Sequence, residues 1–108
     1  MRILLDECID ESLRYAFTAH ECQTCRYAGF KGLTNGELIA AADQAGFQAL
    51  ITVDQNIAYQ QSLANRAISI VVLQAPTTNI DDLLMLMPQV LAALEILKAG
   101  CIVRVVMP

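Results

Sequence analysis

The stretch FQALITVDQNIAYQQSLANRAISIVVL, residues 47–73, decides the fold. Its first seven residues, Phe47 to Val53, are mostly apolar and stop at Asp54. Its last seven, Ala67 to Leu73, are rich in β-branched residues. Both predict short buried strands. Between them Asp54 is a good helix N-cap, so a helix is predicted from Gln55 to about Asn65. Strand, helix and strand in succession form one parallel crossover unit.

The same punctuation extends in both directions. Upstream, Arg2-Ile3-Leu4-Leu5 ends in Asp6-Glu7, and Asp10 caps a helix carrying Leu13, Ala16 and Phe17 on one face. His20 to Cys25 is a second extended stretch, followed by a loop punctuated by Gly29, Gly32 and Gly36. Thr34-Asn35-Gly36-Glu37 is a capping box that opens a helix from Glu37 to Ala45, ended by Gly46. Downstream, Asp81 and Asp82 suit the first turn of a long helix whose stripe is Leu83, Leu84, Met87, Leu91, Leu94 and Leu97, with Met85 beside it. Pro88 should kink or divide that helix. Gly100 stops it, and Cys101 to Val106 is the last strand. The alternation predicts one α/β domain over residues 1–108, a three-layer α/β/α sandwich with a mostly parallel five-stranded sheet.

Composition agrees. Hydrophobic residues make up 56% of the 108 and charged residues 17%, the latter against about 25% in an average domain. Disorder is excluded, and strands buried on both faces account for the apolar excess. The net charge of −4 argues against a basic nucleic-acid footprint unless bound cations invert the local sign. Asp6 and Glu7 interrupt the N-terminus before any run long enough for a signal peptide, and Leu83–Leu97 is too short to span a bilayer. A cytoplasmic protein without a membrane partner is the expectation, with its four cysteines as reduced thiols.

In open α/β sheets, ligands bind beyond the carboxyl ends of the strands, where the strand order reverses. Asp6, Glu7 and Asp54 sit at such ends, and Glu37 starts the second helix. Crowded carboxylates repel and want a cation, and hard oxygen donors suit Mg²⁺ or Mn²⁺. Each acid also has a structural reading: Asp54 as an N-cap, Glu37 in its capping box, Asp6 and Glu7 as solvated loop residues.

Three segments carry a resemblance: ILLDE, RYAGFKGLTNGELIAAA and LITVDQNIAYQQSLANRAISIVVL. Together they are similar to a small bacterial branch of the PIN-like nuclease superfamily, over nearly the whole chain. The resemblance implies an α/β/α sandwich with an acidic Mg²⁺ or Mn²⁺ site that cuts RNA, and many such domains are toxins neutralised by an antitoxin. Residue by residue, Asp6, Glu7, Glu37 and Asp54 match the family's acids. Asn35 and Asn56 stand where many relatives have Asp. They would be neutral metal ligands, so affinity for the ion should fall. A non-catalytic protein-interaction module with a decayed site is the alternative, and a homodimer fits the composition.

Other patterns point elsewhere. A receiver-type phosphoacceptor domain would need a Lys at the end of its last strand, and Lys98 precedes that strand. Cys22-Gln23-Thr24-Cys25 has metal or redox spacing, but on a strand its sulfurs face opposite ways. Tyr59, on the helix after Asp54, could stack a base or cover the sheet. Arg14, Arg26 and Lys31 are scattered cations that read as surface charge, with phosphate contact as the alternative.

Overall fold

The computed structural model describes residues 1–57 and 63–107. Five strands form one parallel sheet: β1 (Arg2–Leu5), β2 (Glu21–Thr24), β3 (Ala49–Thr52), β4 (Ser69–Gln74) and β5 (Ile102–Val106). Their order is β2-β1-β3-β4-β5. Every neighbouring pair is parallel, with Leu5 opposite both Thr24 and Ile51. Among the described residues, four helices accompany them: α1 (Cys25–Ala28), α2 (Asn35–Gln44), α3 (Ile80–Met85) and α4 (Met87–Glu95). A 3₁₀ helix, Glu11–Ala16, joins β1 to β2.

The pleat sorts the strands' side chains into two cores. Ile3, Leu5, Ile51, Val71 and Leu73 face the 3₁₀ helix, α3 and α4, meeting Leu13, Phe17, Leu83 and Val90. Leu4, Leu50, Ile70 and Val72 face α1 and α2, meeting Cys25, Leu38, Ile39 and Ala42. The α/β/α sandwich therefore follows from strands that are apolar on both faces. Among the described residues, no helix is long and apolar enough to cross a membrane.

Of the helix expected from Gln55 to Asn65, only residues 55–57 and 63–65 lie within the described residues; residues 63–65 are not helical, Asn65 being left-handed at φ 64, and Tyr59 lies outside the described residues. The helix capped by Asp10 is 3₁₀, with Ser12 N–H donating to Asp10 at 2.9 Å. Cys25, expected on the second strand, instead begins α1, because the Thr24 hydroxyl accepts from Tyr27 N–H and turns the chain. Pro88 divides the long helix: α3 ends at Met85, and Pro88 lies in the first turn of α4. That break resets the helical phase, so Leu86 and Val90 are buried while Leu84 and Met85 are exposed.

The connections set where the sheet opens. The β1-to-β2 link runs over the first face and the β2-to-β3 link over the second, a reversal that leaves a crevice between the ends of β1 and β3. Ile57 and Leu63, between β3 and β4, also pack on the second face. The β4-to-β5 link moves the same way along the sheet, yet α3 and α4 lie on the first face. It therefore has the opposite hand to the β3-to-β4 link, against a strong preference for one hand. Among the described residues only the short 3₁₀ helix otherwise covers that face, and α3 and α4 bury Leu73 and Val71 there.

Candidate functional site

Asp6 and Asp54 leave adjacent strands at the switch point, and Thr52 joins them. The Thr52 hydroxyl donates to Asp6 Oδ2 at 2.7 Å and accepts from Asp54 N–H at 3.1 Å. Thr52 is fully buried at the end of β3, within a strand otherwise made of Ala49, Leu50 and Ile51. Asp6 N–H donates to Ile51 carbonyl at 2.9 Å, which extends the β1–β3 pairing to the acid itself. Glu7 N–H donates to Asp6 Oδ1 at 2.8 Å, and the Cys8 thiol lies 3.6 Å from Asp6 Oδ2.

On the other side, Asn56 N–H donates to Asp54 Oδ1 at 2.9 Å, the turn expected of an Asp cap. Asn35 Nδ2 donates to Asp54 Oδ2 at 3.1 Å, so the first residue of α2 reaches the end of β3. These hydrogen bonds unite Asp6, Thr52, Asp54 and Asn35, with Asn56 joining through its backbone. Glu7 and Glu37 are engaged elsewhere. Glu7 Oε1 accepts from Gly32 N–H at 2.6 Å and pins the loop before α2. Gly32 has φ +83, a left-handed conformation that favours glycine. Glu37 accepts from Thr34 N–H at 3.0 Å and from its hydroxyl at 2.8 Å, completing the capping box. Those bonds, the backbone one first, hold the Glu37 carboxyl below its ordinary range.

Two further features were not singled out from the sequence. Gln55 Nε2 donates to the Leu73 carbonyl at 2.9 Å while its Oε1 accepts from Arg104 Nη1 at 3.2 Å, tying the turn after β3 to β4 and β5. Thr52 was legible only as the single polar residue ending a buried apolar run, which is the informative kind of exception.

Hard oxygen donors fit a divalent cation at two carboxylates. An ionised carboxylate offers about four lone-pair sites. The bonds described leave Asp6 with about one and Asp54 with about two. Among the described residues, no group of three or more His, Cys, Asp or Glu side chains is arranged as a metal site. Asp6 and Asp54 thus keep free oxygen donors, with no third charged ligand grouped with them among the described residues.

A crevice of about 250 Å³ opens from Asp6 toward β2, lined also by Glu7, Glu11, Thr24, Arg26 and Lys31. Asp54 is not in its wall. Arg26 and Lys31, scattered in sequence, therefore meet beside Asp6. The cysteines of the CxxC lie on opposite sides of the sheet, Cys22 packing against the first core from β2 and Cys25 lying in the second at the start of α1. Burial pushes each thiol up to about 12, which disfavours a reactive thiolate.

No family model, curated protein or solved structure matches the chain.

Proposed function

We propose that this chain is a Mg²⁺- or Mn²⁺-dependent endoribonuclease of the PIN-like kind, with the toxin of a toxin–antitoxin pair as its setting. The observation that carries the reading is that one buried hydroxyl, Thr52, bonds the Asp6 carboxylate and the Asp54 backbone N–H at the switch point of a doubly wound sheet. Asp6 and Asp54 would hold the cation, with Asn35 and Asn56 as neutral ligands. A cation so held activates water and neutralises charge developing on a phosphodiester. Thr52 fixes the two acids relative to each other. Asn35 orients Asp54, and Glu7 and Glu37 shape the loop and helix start around them while remaining candidates to orient water.

The test is cleavage of single-stranded RNA in Mn²⁺ and in Mg²⁺ by the wild type and by Asp6→Asn. Metal-stimulated cleavage lost in Asp6→Asn supports the proposal. Equal cleavage by both, or none above the variant, defeats it.

A second reading, a non-catalytic module that recruits a protein, draws on one observation. Asn35 gives Asp54 a neutral N–H donor where another acid would demand a cation. Absence of metal-induced stabilisation, together with a stoichiometric complex with a co-expressed antitoxin or with a second copy, favours it. The receiver-type reading is weaker, since β5 carries Arg104 and no lysine.

A further inference from the structure

The Asp6 crevice does not end at Arg26. A shallower trough of about 410 Å³ continues from it, walled by Glu11, Arg14, Thr24, Arg26 and Tyr27. Glu11, Thr24 and Arg26 line both, so the two depressions border each other. The trough carries one large aromatic ring in water, Tyr27, 75% exposed, and Tyr15, 70% exposed, stands outside its wall beside Arg14. Neither ring is used by the two cores. Tyr27 stands on the tight turn that Thr24 caps, which fixes its backbone beside Arg26. Tyr15 is held by Arg14, whose guanidinium lies 4.7 Å from the ring centre and donates to the Tyr15 hydroxyl at 2.7 Å.

The cations here are uncommitted to acids. Among the described residues, the ion pairs are Arg2–Glu21 and Arg66–Asp43, and neither Arg26 nor Lys31 joins one. Arg14 Nε is buried without a hydrogen-bond partner. That donor is unsatisfied in place, while the bond to Tyr15 holds the guanidinium where it is. Exposed aromatic faces interleaved with arginines are the chemistry of single-strand recognition, in which bases stack on rings and phosphates meet cations. Bases paired in a duplex have no free face to offer Tyr27, so a single strand fits better.

We infer that the trough of Arg14, Arg26 and Tyr27 is a track that delivers single-stranded RNA to Asp6, an inference that rests on the proposed ribonuclease reading. Tyr27 stacks a base, Arg26 and Lys31 meet phosphates at the crevice, and Tyr15 with Arg14 receives the strand further out.

The experiment measures fluorescence anisotropy of a labelled single-stranded oligoribonucleotide in Ca²⁺, for the wild type, Tyr27→Ala, Tyr27→Phe and Arg26→Ala. RNA cleavage is followed in parallel. Tyr27 is exposed, and circular dichroism checks that each variant folds. Tyr27→Ala should weaken binding about 5- to 150-fold, the range measured for loss of one base–aromatic stack. Tyr27→Phe should retain it. Arg26→Ala should weaken binding and reduce the dependence of log K on log salt by about 0.7. A duplex of the same sequence should bind less well than the single strand. No binding by the wild type, unchanged binding by Tyr27→Ala, or equal binding of the duplex overturns the track. Tyr27-dependent binding without Asp6-dependent cleavage keeps the track and removes the nuclease. Cleavage with no effect of Tyr27 does the reverse.

Discussion

Replacing Thr52 by Val removes one hydroxyl and little volume, and it tests what locks the two acids together. In the wild type that hydroxyl donates to Asp6 at 2.7 Å and accepts from Asp54 N–H at 3.1 Å, at a fully buried position. A hydrogen bond to a charged group contributes about 1.5–3 kcal/mol and a neutral one about 1 kcal/mol. Asp6 is partly exposed, so water screens its share and compensates part of the loss. The expected cost is about 2–3 kcal/mol. At roughly 4–8 °C per kcal/mol for a domain of this size, Tm should fall by about 8–24 °C. Thr52→Ser keeps the hydroxyl and loses a methyl group, so it should be the milder change. Urea unfolding gives the free energies, and a double-mutant cycle with Asp6→Asn isolates the pair, with a coupling of about 1 kcal/mol or more expected. Thr52→Val as stable as the wild type, or no coupling to Asp6, would refute the reasoning.

Three further outcomes follow from the same geometry. Glu37 has its pKa lowered from an ordinary 4.5 by its bonds to Thr34, so its contribution is complete above the unfolded value and fades as pH falls through the folded one. Glu37→Gln should flatten the acid limb of stability against pH in urea titrations; an unchanged limb contradicts the capping box as its origin. Asn35→Asp replaces the donor on Asp54 with a like charge, so it should lower Tm in EDTA and enlarge the Mn²⁺-induced rise in Tm over that of the wild type. A wild-type response to Mn²⁺ would detach Asn35 from the cation site. Cys22 and Cys25, each pushed to about 12 by burial, should resist iodoacetamide in the native protein near pH 8 while exposed Cys8 reacts first. Mass-spectrometric labelling of Cys22 or Cys25 as fast as Cys8 would show that the cores do not enclose them.

The fold was legible wherever a local rule and the global one agreed. Runs such as Ile70-Val71-Val72-Leu73, apolar at every position, could only be strands covered on both faces. Thr34 and Glu37 announced the start of α2 through the capping box that forms there. The helix boundary at Cys25 was hidden because Cys25 continues an extended pattern, and only the bond from Tyr27 N–H to Thr24 turns the chain. Pro88 marked a break, but the phase of the second half depends on where α3 stops, so the burial of Leu86 and Val90 could not be read from one stripe. The face taken by α3 and α4 was also beyond the sequence. The usual handedness puts them over α1 and α2, whereas burial of the first face puts them opposite.

The acids divide in the same way. Asp6 and Asp54 were placed at strand ends by the pattern, and because β1 and β3 are neighbours both reach the Thr52 hydroxyl, Asp6 by its carboxylate and Asp54 by its backbone N–H. Glu7 and Glu37 looked equivalent to them in sequence. Their carboxylates instead satisfy Gly32 and Thr34, contacts that depend on how the loop between β2 and α2 folds back. Arg26 and Lys31 were five residues apart with no visible relation, and the same loop brings both to the crevice beside Asp6.

The most direct test of the central claim is a crystal of this protein soaked in Mn²⁺ and measured for anomalous scattering. The account predicts a peak at about 2.0–2.2 Å from carboxylate oxygens of both Asp6 and Asp54. Well-ordered Asp6 and Asp54 with no peak between them, or a peak held by other residues alone, would contradict it.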